Sequence, residues 1–268
     1  MTTTTAPTKT VQTLLLRTAG TNCDAEAQTA FELAGSHVAR MHLNALVAAP
    51  ARLEKADILM LAGGFSYGDY IAAGRIFGRE LEAHLTEALQ RFVERGGLVL
   101  GVCNGFQVLV ELGLLEGVGA DPAARSLALT DNASAEFECR WVTLREEDSA
   151  CAWLEPGRLV PVPVAHAEGR LVVRDDATLA RLRANRQIAL RYVAPDGGPA
   201  AYPGNPNGSV DDIAGLCDPS GRVLGLMPHP ERNLSRHQHP RWTRLAEREE
   251  GEGLAFFRRM VAVARDSR

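Results

Sequence analysis

The chain has 268 residues, of which 46% are apolar, and its formal net charge is −4. That length is enough for one domain with a large buried core. The slightly acidic balance excludes the basic footprint of a nucleic-acid-binding protein, and no run approaches the ~18 apolar residues of a membrane span.

The cysteines and the N-terminal residues both favour a reducing, cytoplasmic location. The five cysteines are Cys23, Cys103, Cys139, Cys151 and Cys217. They form no Cys-x-x-Cys pair, so we expect neither a zinc ribbon nor a dithiol redox site, and no metal ion. Residues 1–10 are polar and lack the apolar stretch of a signal peptide, and we expect them to be disordered. Since no linker or internal repeat is visible, we predict a single domain over residues 1–268.

In the first half of the chain, short apolar runs alternate with helical patterns. We predict strands over residues 11–17, 37–43, 57–62 and 98–102, and helices over residues 25–34, 79–95 and 106–115. Continuous apolar runs indicate strands that are buried on both faces. The pattern therefore predicts an α/β fold with a mostly parallel central sheet and helices on both faces. Ligands bind such sheets at the carboxyl ends of the strands, where two glycine-rich turns follow Leu61 and Val102.

The second half of the chain is less regular. We predict strands over residues 137–144 and 158–164, and a hairpin of residues 213–217 and 223–227 about the turn 218–221. Helices are predicted over residues 179–185 and 254–264. Residues 195–209 are rich in Pro, Gly and Asn, which indicates a loop.

Cys103 lies in a turn between a predicted strand and a predicted helix. Its surroundings, Gly101-Val102-Cys103-Asn104-Gly105, have the form of a nucleophile elbow with cysteine in place of serine. The two flanking glycines are expected because side chains there would collide with the neighbouring strand and helix. The N-terminus of a helix also favours a thiolate and a developing oxyanion. The alternative is a buried structural cysteine, and the other four cysteines, which lack this context, are interpreted as structural or incidental.

A base and an orienting group for this thiol are available in Pro228-His229-Pro230-Glu231. His229 can take the cysteine proton and later protonate a leaving amine, and Glu231 can hold the imidazole in one tautomer. The two prolines restrict the backbone on which both side chains stand. The alternative is a surface turn with a solvated histidine and glutamate.

The glycine-rich turn Gly63-Gly64-Phe65 follows the predicted strand that ends near Leu61. It has neither of the phosphate-binding patterns GxxxxGK[ST] and GxGxxG, which argues against a phosphate-binding loop. We predict an oxyanion hole in which a backbone N–H of Gly64 or Phe65 acts from one side and Asn104 from the other. A tight turn with no further role is the alternative.

Two short motifs, GVCNGFQ at residues 101–107 and PHPER at residues 228–232, resemble the class I (triad) glutamine amidotransferase family. The segments GGFSYGDYIAAGR (63–75), LTDNASAEFECRW (129–141) and AHAEGR (165–170) resemble one branch of it more closely. That branch comprises the glutaminase subunits of phosphoribosylformylglycinamidine synthases. The matches run in order over nearly the whole chain, and some extra length falls around residues 117–126 and 232–253.

The resemblance implies a flavodoxin-like class I amidotransferase architecture and a reaction in purine biosynthesis. Cys103, with His229 and Glu231, would hydrolyse glutamine to glutamate and ammonia through a thioester. The ammonia would pass to a large synthetase subunit, assisted by a small bridging subunit, to convert formylglycinamide ribonucleotide to formylglycinamidine ribonucleotide. ATP and magnesium would be used by the synthetase, so no cofactor is expected in this chain. Because the chain carries no synthetase sequence, we expect it to be a separate subunit.

The resemblance also implies further site residues. Gln107, Asn132 and Phe137 match positions that bind glutamine, and His166 and Glu168 match a motif that lies near the pocket or at the contact with the synthetase. Three other functions are weighed against this one. The first is an amidotransferase for a different acceptor, and the second is a non-catalytic regulatory subunit, which would be expected to lack one member of the triad. The third is a cysteine hydrolase of the related one-domain α/β type, which would not need the Pro-His-Pro-Glu arrangement.

Overall fold

A computed structural model describes residues 10–120 and 124–266 of the chain. The predicted disorder of residues 1–10 therefore falls, apart from Thr10, outside the described residues, as does part of the segment 117–126. Among the helices that are described, none has both the length and the apolar character needed to cross a lipid bilayer.

The described strands form one large sheet and one small one. Their bounds are β1 Val11–Arg17, β2 Ser36–His42, β3 Ile58–Leu61, β4 Leu98–Val102, β5 Leu127–Thr130, β6 Glu138–Glu146, β7 Leu159–His166, β8 Arg170–Val173, β9 Ile188–Val193, β10 Ile213–Cys217 and β11 Val223–Leu226. The large sheet has the order β2-β1-β3-β4-β11-β10-β9-β6-β7, and β5 pairs with β8 separately. The strands from β2 to β11 in this order are parallel, whereas β11, β10, β9, β6 and β7 pair antiparallel. We call these the parallel half and the antiparallel half.

The helices lie against the sheet in two groups. Their bounds are α1 Asp24–Leu33, α2 Leu43–Val47, α3 Arg75–Glu94, α4 Asn104–Leu112, α5 Asp176–Ala184 and α6 Glu252–Asp266. Helix α1 packs on α6, with the rings of Phe31 and Phe257 edge to face at 5.1 Å, and α3 packs on α4. The prediction of an α/β fold with a mostly parallel central sheet and helices on both faces is confirmed.

Helix α3 shows why the sequence folds in this way. Its buried residues include Phe77, Leu81, Leu85, Leu89 and Phe92, which recur every three to four positions and so form one apolar face. Burying each such side chain contributes roughly 1.5–3 kcal/mol. The helix begins at Arg75, four residues before its predicted start, because Gly74 takes a left-handed conformation and changes the chain direction there.

The segment 232–253, where extra length was expected, contains short 3-10 turns at Arg236–Gln238 and Trp242–Arg244. It packs back onto the antiparallel half, where the His239 ring lies 4.9 Å from the ring of Trp141 on β6.

The predicted hairpin of β10 and β11 is confirmed. Across its turn, Asp218 Oδ1 accepts hydrogen bonds from the N–H groups of Arg222 and Val223.

Candidate active site

Cys103 occupies the turn between β4 and α4 in a conformation that few non-glycine residues adopt. Its φ is 52° and its ψ is −107°, and only 6% of its surface is exposed. The Cys103 N–H donates to Leu226 O of β11 at 2.8 Å, and its carbonyl accepts from the N–H of Phe106 at 2.9 Å. A strained residue that the surrounding structure holds in place is typical of a nucleophile elbow.

The two flanking glycines are required by close backbone approaches, as the sequence predicted. A Cβ on Gly101 would lie 2.5 Å from Gly105 O, and a Cβ on Gly105 would lie 2.0 Å from Leu61 O of β3. Real Cβ atoms are not found at such distances from backbone oxygens. Only glycine at both positions therefore lets α4 start directly above β3 and β4, with Cys103 at its N-terminus.

His229 and Glu231 form a buried hydrogen-bonded pair just beyond the end of β11. His229 Nδ1 lies 2.6 Å from Glu231 Oε1, and the His229 N–H donates to Pro163 O at 2.9 Å. Burial lowers the pKa of His229, but Glu231 and the thiols of Cys103 and Cys23 outweigh it and raise the pKa well above 6.5. Since Nδ1 is used by Glu231, and Nε2 has no hydrogen-bond partner within the described residues, Nε2 is the atom available for proton transfer.

The glycine turn after β3 lies directly against Cys103 and His229. A Cβ on Gly63 would lie 2.9 Å from His229 Cε1, 3.2 Å from Cys23 Sγ and 3.4 Å from Cys103 Cβ. A Cβ on Gly64, whose φ is 141°, would meet Gly20 O at 2.6 Å. Both glycines are therefore needed to bring this turn against the nucleophile.

One predicted oxyanion donor is corrected by the structure. The Phe65 N–H donates to Gly20 O at 2.9 Å, so it is not available to an oxyanion. Within the described residues, no acceptor bonds to the backbone N–H of Gly64 or to that of Asn104 at the start of α4. These two N–H groups, one in the turn after β3 and one at the start of α4, remain the candidate oxyanion hole.

The Asn104 and Gln107 side chains belong to a buried hydrogen-bond network rather than to an open surface. Asn104 Nδ2 donates to Asp69 Oδ1 at 3.1 Å and to Gln107 Oε1 at 2.9 Å, and Gln107 Nε2 donates to Glu168 O at 2.6 Å. Glu168 Oε2 in turn accepts from the Ala73 N–H at 3.1 Å. The network ties α4, the turn after β3 and the loop after β7 into one wall.

Two small cavities meet at Cys103. The first, of about 170 Å³, is bordered by Gly64, Asp69, Cys103, Gln107, His166 and Glu168. The second, of about 210 Å³, is bordered by Cys23, Gly64, Phe65, Cys103, Phe137, His229 and Arg232. Among the predicted site residues, three border neither cavity, and each of them is hydrogen-bonded to a residue that does: Asn104 to Gln107, Glu231 to His229 and Asn132 to His166.

Asn132 is buried and fixes the loop that follows β7. Its Nδ2 donates to Glu136 O and to His166 O, both at 2.8 Å. Its Oδ1 accepts from the Gly169 N–H at 3.1 Å and lies 3.0 Å from His166 Nδ1. Because Oδ1 can only accept, the hydrogen-bond pattern assigns the proton of His166 to Nδ1. All side-chain polar atoms of Asn132 are thus used inside the protein.

His166 is consequently a neutral histidine with an unused acceptor. Burial, then the neighbouring His229, lower the pKa of His166 to about 4, against a smaller opposing effect of a backbone hydrogen bond. Its Nε2 is buried and has no partner among the described groups, while the ring borders the first cavity. Phe137, by contrast, is 51% exposed at the rim of the second cavity.

Cys23 is a site residue that the sequence interpretation missed, since it had been grouped with the incidental cysteines. It is buried just before α1, and its Sγ accepts a hydrogen bond from Arg232 Nη2 at 3.0 Å. The partners are 209 residues apart in the chain. A basic residue directly after the Pro-His-Pro-Glu turn was the available signal, but no local spacing connects it to Cys23.

The comparisons with known proteins support the same interpretation as the geometry of the site. The family model described as a CobB/CobQ-like glutamine amidotransferase domain matches residues 10–263. A phosphoribosylformylglycinamidine synthase subunit PurQ from Dehalococcoides mccartyi is 44% identical over 258 residues, which cover 95% of this chain and 98% of that protein. The subunit of the same name from Archaeoglobus fulgidus is 40% identical over 94% of this chain and 96% of its own.

Two solved structures resemble the chain over nearly its whole length. The structure of PurLQS from Thermotoga maritima matches with a TM-score of 0.70 and 31% identity, covering 95% of this chain and 99% of that one. The glutaminase domain of Trypanosoma brucei CTPS with bound acivicin matches with a TM-score of 0.54 and 15% identity, covering 95% and 94% of the two chains. The second likeness concerns the fold alone.

Proposed function

We propose, from the premise that the chain belongs to the CobB/CobQ-like glutamine amidotransferase family and to its PurQ branch, that Cys103, His229 and Glu231 release ammonia from glutamine. The family resemblance indicated by the motifs is confirmed. The relatives are named as subunits of phosphoribosylformylglycinamidine synthase, and we propose that this chain serves the same synthase in purine biosynthesis. No observation favours an acceptor other than formylglycinamide ribonucleotide, and the intact triad argues against a non-catalytic subunit.

The observation that carries this proposal is the buried pair of His229 and Glu231 beside the strained Cys103. Cys103 Sγ attacks the side-chain amide carbon of glutamine, and its proton passes to His229 Nε2. The oxyanion that forms would accept from the N–H groups of Gly64 and Asn104. His229 then protonates the leaving nitrogen, ammonia departs, and a thioester remains. Water, deprotonated by His229, attacks this thioester, glutamate leaves, and the thiol is restored.

The first cavity suits the amino-acid end of glutamine. Asp69 and Glu168 both border it, and burial and then the Glu168 charge raise the pKa of Asp69, against hydrogen bonds from Gly74 and Asn104 that lower it. Two carboxylates close together favour a cation between them. The α-ammonium group of glutamine would supply that charge, while the buried His166 Nε2 offers a further acceptor. Gln107 supports this wall through its bonds to Asn104 and Glu168.

The mouth of the site carries exposed apolar side chains where a partner would be expected. Phe65, Tyr70, Ile71 and Phe137 are 47%, 89%, 68% and 51% exposed, and Phe65 and Phe137 border the second cavity. Clustered apolar exposure beside a site indicates a docking surface. We therefore propose that a large synthetase subunit, PurL, docks here with a small bridging subunit, PurS, and receives the ammonia. ATP and magnesium would act in that synthetase.

Two broader proposals follow from the same reading. The chain would form one glutamine amidotransferase domain, because a single sheet runs through both halves of the described residues. It would work in the cytoplasm, where a reducing environment keeps its five cysteines as free thiols.

The direct test of the proposed function is Cys103→Ala. We expect glutamine-dependent synthesis by the reconstituted complex to fall by at least about 10⁴-fold, since the variant has no nucleophile. Ammonia-dependent synthesis by the same complex should be retained, because the synthetase is unchanged. Both rates would be measured with formylglycinamide ribonucleotide and ATP, and Cys139→Ala, which removes an exposed thiol, is the matched control. Survival of glutamine hydrolysis in Cys103→Ala, or alkylation of Cys217 instead of Cys103 by a glutamine-analogue electrophile, would refute the assignment.

A further inference from the structure

Cys23 connects the glycine turn after β3 to the turn that carries His229. The N–H groups of Asn22 and Cys23 donate to Gly63 O at 3.3 Å and 3.1 Å. The backbone of the segment before α1 therefore fixes the turn whose Gly64 N–H is a candidate oxyanion donor.

The Cys23 side chain reaches the second of these turns. Its Sγ accepts a hydrogen bond from Arg232 Nη2 at 3.0 Å and donates one to Asn22 Oδ1 at 3.3 Å. The same Sγ lies within 4.8 Å of a ring nitrogen of His229 and of a carboxylate oxygen of Glu231, and these residues are buried. Arg232 belongs to the turn of the base, because its N–H donates to His229 O at 3.1 Å. One side chain thus holds a guanidinium beside the buried histidine and carboxylate.

The charges around His229 indicate what the Cys23 side chain contributes. The titratable groups that the described residues place around the imidazole are Glu231, Cys103, Cys23, His166 and Arg232. Burial lowers the pKa of His229, whereas Glu231 and then the two thiols raise it. A neighbouring cation such as Arg232 disfavours a second positive charge on the imidazole. Because Cys23 Sγ accepts a hydrogen bond from the guanidinium, its loss would leave that charge without this acceptor and make the imidazolium less stable.

We propose that Cys23 is a positioning residue for glutamine hydrolysis, which holds the turn of the oxyanion donor with its backbone and the turn of the base with its Sγ. This inference rests on the proposed function, because both turns take their roles from that reaction. Cys23 acts through Arg232 and His229 and forms no bond to the substrate. A residue that served only to fill space in the core would change the stability of the chain and leave its chemistry unaltered.

The first test compares Cys23→Ala with Cys151→Ala in the reconstituted complex. Both thiols are buried, at 2% and 3% exposure, but Cys151 borders neither cavity at Cys103. We expect Cys23→Ala to lower kcat for glutamine by about tenfold, the equivalent of one hydrogen bond that acts in the transition state. KM for glutamine and the ammonia-dependent rate should stay unchanged. Cys151→Ala should keep its kcat, and Cys23→Ser, whose hydroxyl can accept from Arg232, should regain most of the lost rate.

The second test measures how fast iodoacetamide alkylates Cys103 as a function of pH, by peptide mass spectrometry of the full chain. Loss of Cys23 lowers the proton affinity of His229, so that less of Cys103 is a thiolate at a given pH. The midpoint of alkylation should therefore move to a higher pH in Cys23→Ala. Arg232→Gln removes the neighbouring cation and should move the midpoint to a lower pH. The double variant should lie between the two single variants.

The outcomes separate this inference from the proposed function. An unchanged kcat and an unchanged midpoint in Cys23→Ala, shown to be folded by circular dichroism, would overturn the inference, and so would an equal loss of kcat in Cys151→Ala. If Cys23→Ala does not fold, a midpoint that moves to a higher pH in Arg232→Gln would have the same meaning. The proposed function would still stand in each case, provided that Cys103→Ala cannot use glutamine. Glutamine hydrolysis by Cys103→Ala would overturn the function itself.

Discussion

The two halves of the large sheet contribute to the site in different ways. The parallel half carries Cys103 and the glycine turn, which are positioned by glycines that allow backbone segments to touch. The antiparallel half carries the loop of His166 and Glu168, which is positioned by the buried hydrogen bonds of Asn132. Steric contact thus fixes the reacting atoms, and a polar network fixes the wall of the substrate cavity. Both arrangements join segments that are distant in the sequence, since Gly105 meets Leu61 and Asn132 bonds to His166.

The largest effect is expected in the parallel half, from Gly105→Ala. The added Cβ would lie 2.0 Å from Leu61 O, which is a backbone atom that cannot rotate away. We expect the free energy of unfolding in urea to fall by about 3 kcal/mol or more. Gly157→Ala is the control, because its Cβ would meet nothing within 4 Å and it carries only the strain of a positive φ. That control should cost about 1–2 kcal/mol, and equal losses in the two variants would contradict the steric account.

A smaller effect is expected in the antiparallel half, from Asn132→Ala. The change leaves buried partners of Asn132 without hydrogen bonds, at a cost of about 1–3 kcal/mol each, so the loop should loosen. A loss of this size corresponds to a fall of about 10- to 100-fold in kcat/KM for glutamine. We expect iodoacetamide to alkylate Cys103 at an unchanged rate. The control is Ser134→Ala, which removes the hydrogen bond from Ser134 Oγ to Glu138 and the one that Ser134 Oγ accepts from the Glu136 N–H on the same segment. If Cys103 lost its reactivity as well, the two halves would not be separable.

The smallest effect concerns His166 and acid. Its pKa of about 4 in the folded chain lies below the usual 6.5, so the folded state binds fewer protons than the unfolded state between those values. Stability is therefore lost as the pH falls from about 6.5 towards 4. Between pH 7 and pH 5 the unaltered chain should lose about 2 kcal/mol more than His166→Gln. Urea unfolding at both pH values measures this, with the exposed His37→Gln as control, and parallel losses in all three proteins would contradict the prediction.

The length and the bounding residues of each strand explain how far the sequence could predict the fold. The bounds of β1 and β4 were predicted correctly, because each is an apolar run between clear turn residues. The strands β5, β8 and β9 were not predicted. β5 and β8 have four residues each, too few to show a period, and their pairing joins segments some forty residues apart.

For the site, local motifs predicted the triad and the glycine turn, but not the interactions between distant segments. Cys23 was dismissed because Arg232 and His229 reach it only in the folded chain. Phe65 was predicted as an oxyanion donor because nothing in the sequence shows that Gly20 O accepts its N–H. Tertiary contacts decide which backbone groups are already hydrogen-bonded, and sequence patterns do not show these contacts.

The bond from the Cys103 N–H to Leu226 O has a mechanical consequence. It joins Cys103 to β11, and His229 follows three residues after the last residue of that strand. Cys103 and His229 are therefore held at the ends of two neighbouring, hydrogen-bonded strands. A push from outside would displace them together and leave their separation unchanged. Communication between subunits should therefore act on Cys103 and His229 as one unit, rather than on whether the thiol meets its base.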